Sequence, residues 1–456
     1  MRLFSIIGLM VLTACNPSQF NEMPERRDAN SQSHSALPPM AQFSTRAARA
    51  TTRSNTAIAQ DILDLSFMME SGRPITHLSR FEGPITVTVA PGAPASLGPD
   101  LDRLLNRLRR EARIDITRVA PGGETSASIT IETLPRSRMQ RVVPKAACFV
   151  VPRQSSWDEF RHSRNSQSLD WTTLTTRERV AVFIPSDVAP QEIRDCLHEE
   201  IGQAIGPLND LYRLSDSVFN DDNFNAVLTG FDMLVLRVYN NSDWRSGMTR
   251  AQAAATLPGL LSRLNPRGNY PGRGTTDHSP RAWISAIETA LGRNTSGPRR
   301  IGAARMALSL AQSRGWQDNR LAFSYFALGR LTLVRDPELS LASFLTAGRI
   351  YSRIAPGGIQ EAHVNMQLAA FALSSGQADQ ALALTGAAMP AATRAENASL
   401  LATLLMIRAE ALDLSGRPSE ARAVRLDSLR WGRYGFGRTE AVRARMTEVA
   451  ALSPDA

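Results

Sequence analysis

Apolar positions recur with two different periods along this chain, and each period predicts a kind of element. "PITVTVA" (Pro84–Ala90), "IDITRVA" (Ile114–Ala120) and "SASITIET" (Ser126–Thr133) alternate apolar with polar residues, as half-buried strands do. "ACFVVP" (Ala147–Pro152) and "RVAVFIP" (Arg179–Pro185) add two more segments of strand length. Around them the spacing turns helical. "IAQDILDLSFMME" (Ile58–Glu70) stops at "SGRP", and "GPDLDRLLNRLRREA" (Gly98–Ala112) sets Leu101, Leu104, Leu105 and Leu108 on one stripe. "APQEIRDCLHEEIGQAIG" (Ala189–Gly206) repeats Ile193, Leu197, Ile201 and Ile205 every four residues. Gly206-Pro207 ends that helix, since proline cannot continue it. "TGFDMLVLRVYN" (Thr229–Asn240) predicts a further buried helix.

Beyond residue 297 the pattern is helical throughout and repeats. "DPELSLASFL", "GQADQALALT" and "GRPSEARAVR" place Ala342, Ala381 and Ala421 at equivalent points, with Gly376 and Gly416 before the latter two. Each unit reads as helix, tight turn, helix. No unit can bury its apolar stripe alone, which is the logic of a helical solenoid. The pattern resembles tetratricopeptide repeats with a stretched period; an irregular alanine-rich bundle fits the same pattern. The expected fold class is an α+β domain followed by an all-α helical-repeat domain. The expected division is a leader over 1–14, a flexible tether over 15–56, the α+β domain over 57–297 and the repeats over 298–456.

The first residues change the picture of where the chain works. "MRLFSIIGLMVLTAC" has a basic Arg2, an apolar run too short to span a bilayer, and then "LTAC". That ending resembles the bacterial lipoprotein box. The resemblance implies cleavage before Cys15, acylation of Cys15 and a lipid membrane as partner, since several acyl chains make a durable anchor. Asn16, rather than Asp, after the lipidated position implies outer-membrane sorting, with the folded part facing the periplasm. Of the three cysteines, Cys148 and Cys196 then remain, and in an oxidising compartment such a pair is expected to bridge. Two free buried thiols are the alternative.

The formal net charge is +9, with Arg far outnumbering Lys. Such a charge suits a surface rich in anionic groups, and equally a basic protein whose arginines serve no common purpose. The positive residues are scattered and not interleaved with aromatics, so nucleic acid is not an expected partner.

The candidate chemistry lies in "LHEEIGQAIGPLND" (Leu197–Asp210). It keeps the spacing of the metzincin zinc motif, in which two histidines four apart and a third after a glycine turn grip one ion. Here the ligand positions are Glu199, Gln203 and Asn209, while Glu200 matches the catalytic Glu and Gly206 the turn. "SVF" (Ser217–Phe219) stands where the family has its Met-turn, and "LTGFDMLVLRVYN" resembles its closing helix. The resemblance covers roughly residues 80 to 240 and implies a zincin-like domain whose metal ligands are gone. The wider pattern more closely resembles a family of proteobacterial envelope lipoproteins with no assigned activity.

No cofactor is expected. Oxygen donors at Glu199, Gln203 and Asn209, with Asp210, Asp216, Asp221 and Asp222 nearby, suit Ca²⁺ better than Zn²⁺ if any metal binds. The plainer expectation for these side chains is a hydrogen-bonded loop. His198 has no second histidine on its face and reads as an ordinary helix residue. Glu199 and Glu200, adjacent on a helix, are expected to point about 100° apart. Two functions follow: a non-enzymatic envelope scaffold or adaptor that binds a protein or peptide partner, or a metal-dependent hydrolase or peptidase using Glu200.

Overall fold

A computed structural model describes residues 37–454, except 45–46, 123–125, 276 and 293–294. The leader, Cys15 and the tether as far as residue 36 lie outside the described residues. The chain forms two compact units, Ser44–Ser279 and a second that combines residues up to Phe43 with Pro280–Ala456. Among the described residues no helix is long and apolar enough to cross a membrane.

The first unit runs α1 (Asn55–Ser66), β1 (Ile85–Val89), α2 (Leu97–Arg107), β2 (Ile116–Arg118), β3 (Ile129–Leu134), α3 (Arg136–Gln140), β4 (Phe149–Pro152), α4 (Trp157–Ser163), β5 (Val180–Pro185), α5 (Pro190–Ile205), α6 (Gly230–Tyr239) and α7 (Arg250–Leu264). The five strands order as β2-β1-β3-β5-β4. All pairs are parallel except β4, which runs antiparallel to β5 at the edge. Strands and helices alternate along the chain, so this unit is α/β in character rather than the α+β expected from sequence.

Period-two alternation explains why both faces of β5 are buried. Val180, Val182 and Ile184 join the main core with Leu101, Leu104, Ile193, Leu197 and Ile201 of α2 and α5. Ala181 and Phe183 enter a second core with Met139, Val151, Trp157 and Phe160 on the opposite face. A mostly parallel sheet requires such cover on both sides. The disulfide Cys148–Cys196, with Cα atoms 6.0 Å apart, ties the segment entering β4 to α5. The bridged residues are 48 apart in sequence, and closing such a loop in the unfolded chain stabilises the fold by about 4 kcal/mol.

The second unit is all helical: α8 (Arg281–Leu291), α9 (Gly297–Ser313), α10 (Asn319–Thr332), α11 (Pro337–Ile354), α12 (Ile359–Ser374), α13 (Ala378–Arg394), α14 (Ala398–Leu414), α15 (Pro418–Gly435) and α16 (Thr439–Ala450). Consecutive helices pack on one another from α8 to α15. The helix "RAWISAIETAL", placed before the boundary by the sequence, sits in this unit, because α8 buries Trp283, Ala286 and Ile287 against α9 and α10.

Two connections share one turn. After α12, Gln377 N–H donates to Ala372 O and Gly376 N–H to Leu373 O; after α14, Arg417 and Gly416 donate likewise to Leu412 and Asp413. Gly376 and Gly416 hold φ of 71° and 70°, the left-handed conformation glycine adopts freely. Ala381 and Ala421 are buried at the fourth position of α13 and α15. The equivalent position of α11 is the buried Ser340, whose hydroxyl donates to Gly329 O at 2.7 Å. Ala342, expected there from sequence, is exposed. The register is set by close helix approach, which a small side chain of either polarity allows.

The predicted tether is not free along its described length. Ala41 N–H donates to Arg430 O at 3.0 Å, and Arg433 Nη1 donates to Pro38 O at 2.8 Å. The Phe43 ring lies 4.4 Å from that of Trp431 and meets Tyr434 edge-on.

Candidate functional site

Helix α5 carries the site. Pro190 occupies its first turn, where a missing N–H is tolerated. Its apolar stripe, Ile193, Leu197, Ile201 and Ile205, is at most 1% exposed and locks the helix against the sheet. Buried Arg177 donates to the carbonyls of Gln203 and Ala204, both at 2.8 Å, and so caps the negative end of the helix dipole. Gly206 is favoured for contact reasons: a Cβ there would lie 2.7 Å from the Gly202 carbonyl oxygen and 2.4 Å from the Leu236 side chain of α6.

The five residues that carried the zinc-motif resemblance do not all converge. Asn209 is buried, and its Nδ2 donates to Asp64 O at the end of α1, at 2.9 Å. That amide pins the loop after α5 to α1. Gln203 is half-buried on α5. Phe219 lies wholly buried beneath α5, 3.4 Å from where a Cβ on Gly202 would sit. Buried His198 accepts from Leu228 N–H through Nδ1 at 3.2 Å, and burial holds its pKa well below the usual value. It is a neutral structural residue.

The loop between α5 and α6 is held by its own polar groups, as one of the two sequence expectations had it. Asp232 accepts from Ser217 Oγ at 2.5 Å and from Val218 N–H at 3.0 Å, while forming a capping box with Thr229. Asp216 pairs with Arg53, and Asp222 accepts from Asn220 and from Phe224 N–H. Neither turns toward a common ion.

Glu199 and Glu200 do converge, contrary to the divergence expected of helix neighbours. A carboxylate oxygen of each and Cys148 Sγ all lie within 4.8 Å of one another. The Cα–Cβ bonds diverge, but two further torsions in each side chain bring the ends back together. Among the described residues this is the group of three His, Cys, Asp or Glu donors placed to share one ion, and it contains no imidazole. Glu200 is 3% exposed, and its Oε2 has no hydrogen-bond partner.

Burial dominates the electrostatics here. It pushes the Glu199 carboxyl up to about 7, with further repulsion from Asp221, Glu70 and Asp195. Burial and then Glu199 and Glu70 raise Glu200 well above the ordinary range. Asp210 rises likewise, through burial and then Asp221, Glu199, Glu70 and Glu200. Asp195, one turn before Glu199, is pushed up to about 6, chiefly by burial. The result is a crowded acidic group that holds protons near neutral pH, beside a disulfide. Such a group can donate or accept a proton, or can accept a cation in exchange for its protons.

Asp210 and Asp221 were visible in sequence as acids near the motif. Glu70 was not, because it is distant in sequence and follows α1. A shallow concavity of ≈ 670 Å³ lies beside α4, lined by residues that include Arg153, Glu159, His162 and Arg179; it shares no residue with the acidic group.

Comparison with known proteins adds a family match over part of the chain and little else. Residues 55–259 match the family described as "Protein of unknown function (DUF2927)", a span that holds α1 to α6, most of α7 and the whole acidic group. No curated protein matches the chain in sequence. The crystal structure of BtubC (BKLC) from P. vanneervenii is similar at 12% identity, over 57% of this chain and 80% of that one, with a TM-score of 0.28. That likeness is too distant to bear on the fold.

Proposed function

We propose that this chain is a lipid-anchored envelope protein that acts as a scaffold or adaptor, holding a protein or peptide partner. In this reading Cys15 carries the acyl anchor, the α/β unit is zincin-like without a working zinc centre, and the helical unit is tetratricopeptide-like. The zincin likeness draws support from the position of α5 after β5, with Glu200 and Gly206 at motif spacing. The loss of catalysis draws support from Asn209, whose amide is engaged by α1, and from a donor group without imidazole.

The observation that carries the scaffold reading is segment 37–43 lying on α15. It is bound by a backbone hydrogen bond and an aromatic contact, so the surface of this helix already holds a stretch of non-helical chain. The test compares full chain with Trp431→Ala in cross-linking from envelope membranes. The reading expects a defined partner, captured by the full chain and lost or exchanged in Trp431→Ala. A full chain that captures nothing above the level of a lipid-anchored control sinks it.

A second reading is a hydrolase acting on peptides or cell-wall polymers through Glu200. It is favoured by one observation, the carboxyl pair Glu199–Glu200 with Glu199 titrating near 7. It predicts turnover that falls at least about 100-fold in Glu200→Gln, the scale of a lost general acid or base.

A further inference from the structure

Glu199 and Glu200 crowd around Cys148 Sγ, and Glu200, itself 3% exposed, has its Oε2 left without a hydrogen-bond partner between half-buried Glu199 and half-buried Cys148. A buried, unpartnered carboxyl carries a desolvation penalty that a cation would relieve. While Cys148 is bonded to Cys196 its sulfur is a poor ligand, since the thiolate is the form that binds metal. Cys196 precedes Glu199 by three and Glu200 by four on α5, which puts it on the same side of the helix.

We propose that the disulfide is the gate of a transition-metal site: once reduced, Cys148 and Cys196 join Glu199 and Glu200 to bind a borderline-soft divalent ion, of which Zn²⁺ is the type. The donor set differs from the ligand positions of the zinc motif, sharing only Glu199 with them. Two thiolates and two carboxylates match the S and O donors that a four-coordinate zinc accepts, and thiolates select zinc over calcium. The reduction is ordinary exchange. A dithiol gives two electrons and two protons to the Cys148–Cys196 bond and is itself oxidised to a disulfide. Metal binding then releases the two thiol protons together with the protons that the Glu199 and Glu200 carboxyls hold. The proposal does not depend on the scaffold reading, because a metal-loaded form of the site serves an adaptor and a hydrolase alike.

The test uses the full chain with Cys15→Ser, so that Cys148 and Cys196 are its only cysteines. The chain is titrated with Co²⁺ before and after anaerobic treatment with dithiothreitol and its removal. The reduced chain is expected to bind one Co²⁺, displaced by Zn²⁺, with a thiolate-to-cobalt charge-transfer band absent from the oxidised chain. Glu199→Gln and Glu200→Gln are each expected to weaken that binding by at least about tenfold, the scale at which even outer-shell partners act. Equal binding by oxidised and reduced chains overturns the proposal. Unchanged affinity in both glutamine variants also overturns it, since the thiols then suffice. So does a reduced chain whose circular dichroism shows unfolding that Zn²⁺ does not reverse.

Discussion

Two groups of acids in the α/β unit each contain fully buried carboxyls and are oppositely treated. Asp61 and Asp64 on α1 are 2% and 4% exposed, close to the 3% of Glu200. Asp61 is clamped by Arg213 at 2.6 Å and also paired with Arg53; Asp64 meets Arg213 and Arg250, both at 2.8 Å. Three guanidinium groups thus compensate two carboxylates. Around Glu200 the neighbours are carboxyls and a disulfide, and one of its oxygens has no partner. The first arrangement does a structural job, holding α1 to the loop after α5. The second leaves the Glu200 carboxyl without such compensation. Uncompensated buried acids cluster where chemistry or a ligand is served.

Removing the compensation should show the largest contrast. Arg213→Ala leaves Asp61 and Asp64 short of a shared partner and is expected to lower stability by about 3–5 kcal/mol in urea unfolding. Glu200→Gln, which replaces a buried carboxyl by a neutral group of the same shape, is expected to leave stability unchanged or higher. A Glu200→Gln loss as large as that of Arg213→Ala would erase the distinction between the two groups.

The pH dependence sharpens it further. Glu199 binds its proton more tightly folded, about 7, than its ordinary 4.5. The folded state therefore holds more protons across that window, and stability falls as pH rises through it, by at most about 3 kcal/mol for a shift of this size. Below pH 4.5 the penalty is absent. Glu199→Gln should flatten the stability profile between those two pH values, measured as urea midpoints, and Asn209→Ala should not. Asn209→Ala gives the smallest effect. It removes one hydrogen bond to Asp64 O, expected to lower stability by about 1 kcal/mol with no change in the slope against pH. A change of slope in Asn209→Ala would put Asn209 in the acidic group after all.

Much of the fold was legible because its signals are local. The stripe of α5 from Ile193 to Ile205 predicted which face would be buried, since side chains four apart on a helix share a face regardless of what they meet. The alternation in β1, β2 and β3 worked for the same reason. The bridge of Cys148 to Cys196 followed from the count of cysteines and the expectation of export, not from any geometry. The repeat period was readable from Gly376 and Gly416, because a left-handed turn leaves a mark in a single residue.

Other features belonged to the tertiary structure alone. Ser340, not Ala342, fills the close-packed position of α11, a choice made by the distance to Gly329 in the neighbouring helix. Asn209 stands at a ligand position by spacing, yet it is turned to the Asp64 carbonyl far away in sequence. Glu199 and Glu200 leave the helix on different faces and still converge, because rotatable side-chain bonds and the surrounding packing decide where a carboxylate ends. Periodicity is a property of the backbone and survives in the bare sequence; the meeting of side-chain ends depends on torsions and on neighbours brought from elsewhere in the chain, and only folding supplies those.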